Sequence, residues 1–173
     1  MNEPGKFFIE DFSLQCRTRL TEAKIVYKTY GKLNQECDNV ILYPTSYGAN
    51  HQDIEWLISP DSILDLSQYF IIIANMFGNG LSSSPSNDQV CGLAESGFWF
   101  THLDNVRAQK TLLDSLGIKK LALVYGWSMG AQQAYHWGAL YPEYVERIAA
   151  LCGTARTTDH NKIFLQSLRT ALT

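Results

Sequence analysis

The residues whose types and spacing could do chemistry are centred on Ser128, in the motif Gly126-Trp-Ser-Met-Gly130. A mostly aliphatic run at 121–125 precedes this Gly-x-Ser-x-Gly motif, and an alanine-containing run follows it at once. The order strand, sharp turn, helix predicts a nucleophile elbow, in which the serine hydroxyl stands above the edge of a sheet. Glycines on both sides of the serine let the strand and helix backbones approach closely. The alternative is a tight strand-to-helix turn in which Ser128 only caps the helix.

A serine nucleophile needs hydrogen-bond donors for the negative charge that develops on the acyl oxygen. Met129 directly follows the serine at the predicted helix N-terminus, so its position supplies one N–H. The loop after the strand that ends at Tyr43 is placed to supply the second, through the backbone of Ser46 or of its neighbour Thr45. The alternative is a plain strand-to-helix connection. We therefore predict Ser128 as the nucleophile and the Met129 and Ser46 amides as oxyanion donors.

A serine hydroxyl also needs a base, normally a histidine that an acid orients. His136 lies two turns along the predicted helix, so its side chain is expected on the helix surface. His160 follows the last predicted strand, where it could cap the next helix or line a pocket. It comes too early for the chain order serine, acid, histidine. His51 and His102 precede the serine, and His51 is expected to line the pocket. No histidine of this chain is therefore assigned as the base.

The bulk properties of the chain exclude several classes of function. Its 173 residues, 46% of them hydrophobic, suffice for one domain with a sizeable core. A net charge of −3 without a basic patch argues against a nucleic-acid partner, and no apolar run approaches the roughly 20 residues that span a bilayer. No secretory signal is visible at the start. We predict a cytoplasmic enzyme with a small-molecule substrate and no metal or bound cofactor. The cysteines have neither metal-site nor redox-motif spacing and are expected as free thiols: Cys16, Cys37, Cys91 and Cys152.

Short apolar strands alternate with helical segments along the chain. Strands are predicted at 25–30 (which can pair with 7–9), 40–43, 69–75, 121–125 and 147–152; helices are predicted near 56–58 and at 104–116, 129–140 and 163–172. The Gly/Ser/Asn/Pro-rich segment 78–87 is expected to be irregular. This alternation predicts an α/β fold, a mostly parallel sheet with helices on both faces. Ligands of such sheets bind at the carboxyl ends of the strands, so the serine turn and the loops after Tyr43 and Asn75 should form one site.

Five segments of the chain form a distinctive set: Ala-Lys-Ile-Val-Tyr-Lys-Thr-Tyr-Gly-Lys-Leu-Asn at 23–34, Asp-Asn-Val at 38–40 leading to Gly48 and His51, Asn-Met-Phe-Gly at 75–78, Asp-Asn-Val-Arg-Ala-Gln at 104–109, and Gly-Trp-Ser-Met-Gly-Ala-Gln-Gln-Ala at 126–134 with Tyr-Pro at 141–142. Taken together, these segments resemble the homoserine O-acetyltransferase branch of the α/β-hydrolase superfamily along nearly the whole chain. The resemblance implies an α/β-hydrolase fold.

The resemblance also implies a reaction. An acetyl group would pass from acetyl-CoA to Ser128 and then to a hydroxyl acceptor such as homoserine. The chain departs from the family at 44–48, where Pro-Thr-Ser-Tyr-Gly replaces His-Ala-Leu-Thr-Gly, and at the elbow, where Trp127 and Ala131 replace glycines. An esterase that uses water as acceptor is therefore an alternative. A catalytically inactive interaction fragment is another, because the base and its acid partner are not identified.

Members of that family are much longer and carry their triad acid and histidine on later strands, beyond a helical lid. The resemblance thus implies that residues 1–173 form the amino-terminal part of a single α/β-hydrolase domain, ending at the start of the lid region. No residue here is carried over as triad acid, triad histidine or acceptor ligand. An incomplete sheet exposes an unpaired edge and apolar surface, which favours association with a partner or a homo-oligomer.

Overall fold

The sheet begins with a long antiparallel hairpin. The computed structural model describes residues 3–87 and 99–172. Strand β1 is Gly5–Ser13 and strand β2 is Arg19–Tyr30. Phe7 pairs with Ile25, and Ile9 pairs with Ala23, so the predicted pairing of 7–9 with the strand at 25–30 is confirmed. The hairpin is longer than predicted. Residues near its ends alternate between buried and exposed, and this pattern is a weaker sequence signal than a continuous apolar run.

The remaining strands are parallel to one another and lie together on one side of β2. They are β3 (Val40–Pro44), β4 (Phe70–Ala74), β5 (Leu123–Trp127) and β6 (Ile148–Leu151). The sheet order is β1-β2-β4-β3-β5-β6. Strand β4 pairs antiparallel with β2 and parallel with β3, and β5 lies between β3 and β6. The carboxyl ends of β3, β4 and β5 therefore lie at one edge of the sheet.

Four α-helices accompany the sheet within the described ranges: α1 (His51–Ile54), α2 (His102–Ser115), α3 (Met129–Leu140) and α4 (Asp159–Leu172). A 3₁₀ turn, Glu55–Leu57, extends α1, so the predicted short helix near 56–58 begins five residues earlier. Helix α3 has its predicted bounds. Helix α2 begins two residues before the predicted start because Thr101 caps it in a reciprocal capping box with Asp104.

Several predicted boundaries differ from the structure in the second half of the chain. Strand β5 ends at Trp127 instead of residue 125, and β6 (Ile148–Leu151) is one residue shorter at each end than predicted. Leu121 lies in an isolated bridge to Val145, and the strand itself begins at Leu123. Leu121 is nevertheless fully buried, so its apolar character reports burial and not strand pairing. Helix α4 begins at Asp159 instead of residue 163, which places His160 in its first turn.

The sheet is covered on both faces, as an α/β fold requires. On one face, Leu42 and Val124 pack with Leu113 of α2 and with Ala134 and Trp137 of α3. Alternate residues of the same strands point to the opposite face, where a second cluster includes α1; its buried members are Ile41, Tyr43, Ile54, Leu64, Ile71 and Ile73. The predicted α/β class and mostly parallel sheet are confirmed.

Apolar side chains are exposed along β6 and α4. The larger ones are Ile148, Leu151, Ile163, Phe164, Leu165 and Leu168. Strand β6 is at the end of the sheet order, so the predicted exposed edge is present in the described part of the chain. Association through that edge stays a prediction.

Candidate active site

Ser128 occupies a sharp turn between β5 and α3 and has an unusual backbone conformation. Its φ is 54° and its ψ is −120°, in a region that non-glycine residues rarely adopt. The N–H of Ser128 donates to the Leu151 carbonyl at 2.8 Å, and the Ser128 carbonyl accepts from Ala131 and Gln132. Neighbouring elements on both sides thus hold the turn in place. Ser128 is the N-cap residue of α3, but its side chain makes no capping hydrogen bond, so it lacks the bond by which a serine ordinarily caps a helix.

Two glycines allow the close approach that this turn needs. A Cβ built on Gly126 would lie 2.3 Å from the Gly130 carbonyl oxygen, a distance that side chains do not tolerate. A Cβ built on Gly130 would lie 2.9 Å from the carbonyl oxygen of Pro44, at the end of β3. The first turn of α3 is therefore packed directly against the loop that follows β3.

The structure brings the predicted oxyanion residues together. The N–H of Met129 donates to the side-chain hydroxyl of Ser46 at 3.1 Å, across 83 positions of sequence. Ser46 is only 4% exposed. Its own backbone N–H has no acceptor within the described residues, whereas the N–H of Thr45 donates to the Ala74 carbonyl. Of the two backbone candidates in this loop, the Ser46 amide is therefore the one left unpaired.

The Ser46 hydroxyl is a feature of the site that sequence reasoning missed. The prediction concerned the backbone of Ser46, yet the side chain is what contacts Met129. An acyl oxygen that uses the Met129 N–H would compete with this hydroxyl for the same donor. The one signal for this hydroxyl in the sequence is that Ser46 stands where the resembled family has leucine.

The loop after β4 supports the loop after β3. The side-chain oxygen of Asn75 accepts from the His51 N–H at 3.0 Å, and its amide donates to the Val26 carbonyl at 2.8 Å. The N–H of Met76 donates to the Thr45 hydroxyl at 3.0 Å. The predicted convergence of these loops at one sheet edge is therefore present, with Asn75 as a structural link.

His51 is buried next to Asn75, between the loops that follow β3 and β4. It is 3% exposed, and its Nδ1 lies 3.2 Å from the Asn75 amide nitrogen. Its Nε2 is buried without a partner in the described part of the chain. The structure records no hydrogen bond between His51 and Ser128, so its role in lining a pocket stays a prediction.

The other histidines also lack a hydrogen bond to Ser128 among the described residues. His102 Nε2 lies 3.0 Å from the Gln132 side-chain oxygen, and the His102 and His136 rings are 5.6 Å apart. His136 Nδ1 lies 2.9 Å from the Gln132 carbonyl oxygen and the residue is half-buried, so it is less superficial than predicted. Burial lowers the pKa of His102, and the nearby His136 lowers it further. His160 is exposed on α4.

No group of metal-ligating side chains occurs in residues 3–87 and 99–172. Cys16, Cys37 and Cys152 are free thiols, as expected; Cys91 lies outside the described residues. None of the helices in the described ranges is long and apolar enough to cross a membrane.

Comparison with known proteins decides the family. The family model for the alpha/beta hydrolase fold matches residues 40–169. The chain belongs to the α/β-hydrolase fold family. This membership agrees with three features of the structure: the strand order, the helices on both faces of the sheet, and the turn at Ser128 between a strand and a helix.

Several relatives within the hydrolase family carry named activities. An ethyl acetate hydrolase from Pseudomonas veronii is 44% identical over 157 residues, covering 89% of this chain and 45% of that protein. A probable esterase from Corynebacterium glutamicum is 44% identical over 147 residues, covering 83% and 42%. A homoserine O-acetyltransferase from Methanosalsum zhilinae is 32% identical over 180 residues, covering 94% and 36%. The chain thus spans about half or less of the length of these relatives.

Solved structures give the same two groups. An acetylester hydrolase from Corynebacterium glutamicum superposes with a TM-score of 0.91 at 38% identity, covering 96% of this chain and 48% of that one. A homoserine O-acetyltransferase from Bacillus anthracis superposes with a TM-score of 0.81 at 27% identity, covering 93% and 49%. The predicted resemblance to homoserine O-acetyltransferases is confirmed, and the esterases are more similar to this hydrolase-family chain than these acetyltransferases are.

Proposed function

We propose that this chain carries the nucleophile and oxyanion donors of a serine esterase that hydrolyses short acyl esters, with Ser128 as nucleophile. The observation that carries the proposal is the strained turn at Ser128, which sets the Met129 N–H beside the loop of Ser46. Backbone strain of this kind persists only where surrounding structure enforces it and is concentrated at functional sites. Here β6 and α3 enforce it through bonds to the Ser128 backbone.

The chemistry follows the general course of serine acyl transfer. The Ser128 oxygen forms a bond to the acyl carbon while its proton passes to a base, and the carbonyl oxygen becomes negatively charged. The N–H groups of Met129 and Ser46 stabilise that charge. The alcohol then leaves with a proton, and water releases the acid from the acyl-enzyme. We assign the base and its acid partner to no described residue.

Water is the proposed acceptor because the esterase relatives are 44% identical to the chain and the named acetyltransferase above is 32% identical. Two residues at the site are consistent with this choice. Trp127 and Ser46 both depart from the motifs of the resembled acetyltransferases, and Trp127 is 44% exposed directly beside the nucleophile. A bulky indole there changes the room available to an acceptor.

Acetyl transfer from acetyl-CoA to a hydroxyl acceptor such as homoserine is the second candidate. It rests on the acetyltransferase relatives and on the motifs at 23–34 and 104–109. In that reaction acetyl-CoA is a co-substrate, and the same Ser128 acyl-enzyme is formed. The two candidates therefore differ only in the second half-reaction.

The nucleophile is tested by intact-mass analysis after incubation with p-nitrophenyl acetate. The proteins are this chain and the chain continued by the carboxy-terminal part of the Pseudomonas veronii hydrolase, each with and without Ser128→Ala. We expect one acetyl group on Ser128 in the continued protein and none in its Ser128→Ala variant. Ser59→Ala, a change at an exposed serine outside the site, serves as the matched control and should label normally. Equal labelling of the Ser128→Ala variant would overturn the assignment.

The acceptor is tested with the same continued protein. We expect acetate release from ethyl acetate and p-nitrophenyl acetate at a rate that homoserine leaves unchanged. Acetyl-CoA consumption that depends on homoserine and yields O-acetylhomoserine would instead establish the transferase reaction.

A further inference from the structure

A chain of side-chain hydrogen bonds crosses the core from α3 to the loop after β3. The indole N–H of Trp137 donates to the Gln109 Oε1 at 2.9 Å, and the Gln109 Nε2 donates to the Gln133 Oε1 at 2.7 Å. The Gln133 Nε2 then donates to the Thr45 carbonyl oxygen at 3.0 Å. All four residues are at most 1% exposed. We call this arrangement the Trp137–Thr45 chain.

The direction of the Trp137–Thr45 chain is fixed at both ends. An indole N–H can only donate, so Gln109 must present its oxygen to Trp137 and its NH₂ to Gln133. A backbone carbonyl can only accept, so Gln133 must present its NH₂ to Thr45. Each amide therefore accepts on its oxygen and donates from its nitrogen, and bonds arranged head to tail in this way strengthen one another.

Burying the polar amides of these two glutamines in the core costs free energy unless every amide group is hydrogen-bonded. An unpaired buried amide costs about 1–3 kcal/mol, and apolar residues of similar size would carry no such risk. Gln109 and Gln133 lie on α2 and α3, 24 positions apart. Besides the bond between them, the second amide of the pair continues to the Thr45 carbonyl in the loop after β3, which indicates that the pair supports this loop.

The Thr45 carbonyl and the Ser46 N–H belong to the same peptide group. Because a peptide is planar and its carbonyl and nitrogen share electrons by resonance, a donor on the carbonyl fixes the direction of the N–H and makes its hydrogen more positive. On the other side, the Thr45 N–H donates to Ala74 and the Thr45 hydroxyl accepts from Met76. The peptide is thus held from two directions while the Ser46 N–H has no acceptor among the described residues.

We propose that Trp137, Gln109 and Gln133 are positioning residues that orient and polarise the Thr45–Ser46 peptide, so that the Ser46 N–H meets the acyl oxygen on Ser128. The contact between the Ser46 N–H and the acyl oxygen rests on the proposed function. The orientation and polarisation of the peptide rest only on the Trp137–Thr45 chain.

The first test measures the Thr45 carbonyl ¹³C chemical shift of this chain by NMR. Gln133→Met removes the direct donor, and we expect the Thr45 resonance to move upfield. Gln109→Met and Trp137→Phe leave that donor in place but interrupt the chain one and two bonds away, so smaller shifts in the same direction are expected, in that order. Gln132→Met, the same change one position away on α3, should leave the resonance in place. An unmoved Thr45 resonance in Trp137→Phe and Gln109→Met would overturn the polarisation.

The second test measures p-nitrophenyl acetate turnover by the continued protein and its variants. We expect Gln133→Met to lower kcat by about tenfold with KM unchanged, less than the roughly 10²–10³-fold cost of deleting a whole oxyanion donor. If Gln133→Met does not fold, the kcat of the variant with the smaller change, Trp137→Phe, is measured in its place, and a smaller decrease is expected. Unchanged kcat in folded variants whose Thr45 resonance has moved would overturn the catalytic role. Missing Ser128 acetylation in the unsubstituted protein would overturn the proposed function alone, because the Thr45 resonance still decides the polarisation.

Discussion

Ser128 holds a backbone conformation that its own side chain disfavours. With φ at 54° and ψ at −120°, the residue stores strain of about 1–3 kcal/mol, and glycine would relieve most of it. Glycine also loses about 0.5–1 kcal/mol through its greater freedom in the unfolded chain. We therefore expect Ser128→Gly to have a free energy of unfolding about 1 kcal/mol above that of Ser128→Ala, measured by urea denaturation. Both variants should be inactive.

A matched pair at Ser59 provides the control for this prediction. Ser59 is exposed and is not among the residues with positive φ, so Ser59→Gly should be less stable than Ser59→Ala. If glycine is also the less stable replacement at position 128, the turn stores no strain and the argument from strain to function fails.

Functional roles can be proposed from sequence for single residues whose chemistry depends on local sequence. Ser128 and Met129 follow from a pentapeptide between a strand and a helix, and the structure places Met129 beside Ser46. Gln109 and Gln133 could not be assigned a role in this way. Their bonds link residues 24 and 88 positions apart, and a buried glutamine has no periodic signal that distinguishes it from a solvent-exposed one.

At the scale of elements, the packing of β5 against α3 depends on a few glycines. Gly126→Ala would place a methyl group 2.3 Å from the Gly130 carbonyl oxygen, and backbone cannot give way cheaply. We expect this change to lower the free energy of unfolding by about 1–3 kcal/mol, as overpacking does. On the same helix α3, a Cβ at Gly138 would meet only the Ile148 side chain at 3.6 Å.

Gly138→Ala is therefore the matched control for Gly126→Ala. Alanine removes the entropic cost of glycine in a helix, so this variant should gain about 0.5–1 kcal/mol of stability in the same urea experiment. A loss at both positions would mean that the approach at Gly126 is not specifically tight. Similar stability of Gly126→Ala and the unsubstituted chain would contradict the close packing itself.

Elements themselves were predictable where an apolar run or a cap stood out. Helix α3 has its predicted bounds, and the predicted strand at 69–75 contains β4 (Phe70–Ala74). The errors fall at ends where tertiary contacts decide. Leu121 is buried beside Val145 but belongs to no strand. Helix α4 begins at Asp159, and the residues before its predicted start at 163 are all polar.

For the whole molecule, the alternation of strands and helices predicts the α/β class but not the strand order. Strand β4 lies between β2 and β3, so β2 and β3, although consecutive in the chain, are not neighbours. Such pairings join residues far apart in sequence, as in the register of Tyr27 with Ala74. Apolar patterning identifies which face a strand buries and says nothing of its partner.

Stability of the whole domain should depend on pH through His102. Its pKa in the folded protein is lowered, mainly by burial and further by His136, while the hydrogen bond that His102 donates to the Gln132 side-chain oxygen acts in the opposite direction. Below about pH 6.5, the ordinary histidine pKa, the unfolded chain therefore binds a proton that the folded chain resists. Stability is full above that pH and falls as pH decreases through it, by at most about 1.4 kcal/mol per pH unit for this one group.

Replacing His102 separates its contribution to the pH dependence of stability from the contributions of the carboxyl groups. The carboxyls of Glu55, Asp65 and Glu146 have lowered pKa values, so their contributions are lost only in more acidic solution, below ordinary values of 4.5, 3.8 and 4.5. Between pH 7.5 and 5.5, we expect His102→Gln to lose less melting temperature than the unsubstituted chain, as measured by circular dichroism. His160→Gln, at an exposed histidine on α4, should decline like the unsubstituted chain. A parallel decline of His102→Gln would mean that the protein tolerates the proton on His102, and that burial beside Gln132 and His136 imposes no penalty on charge.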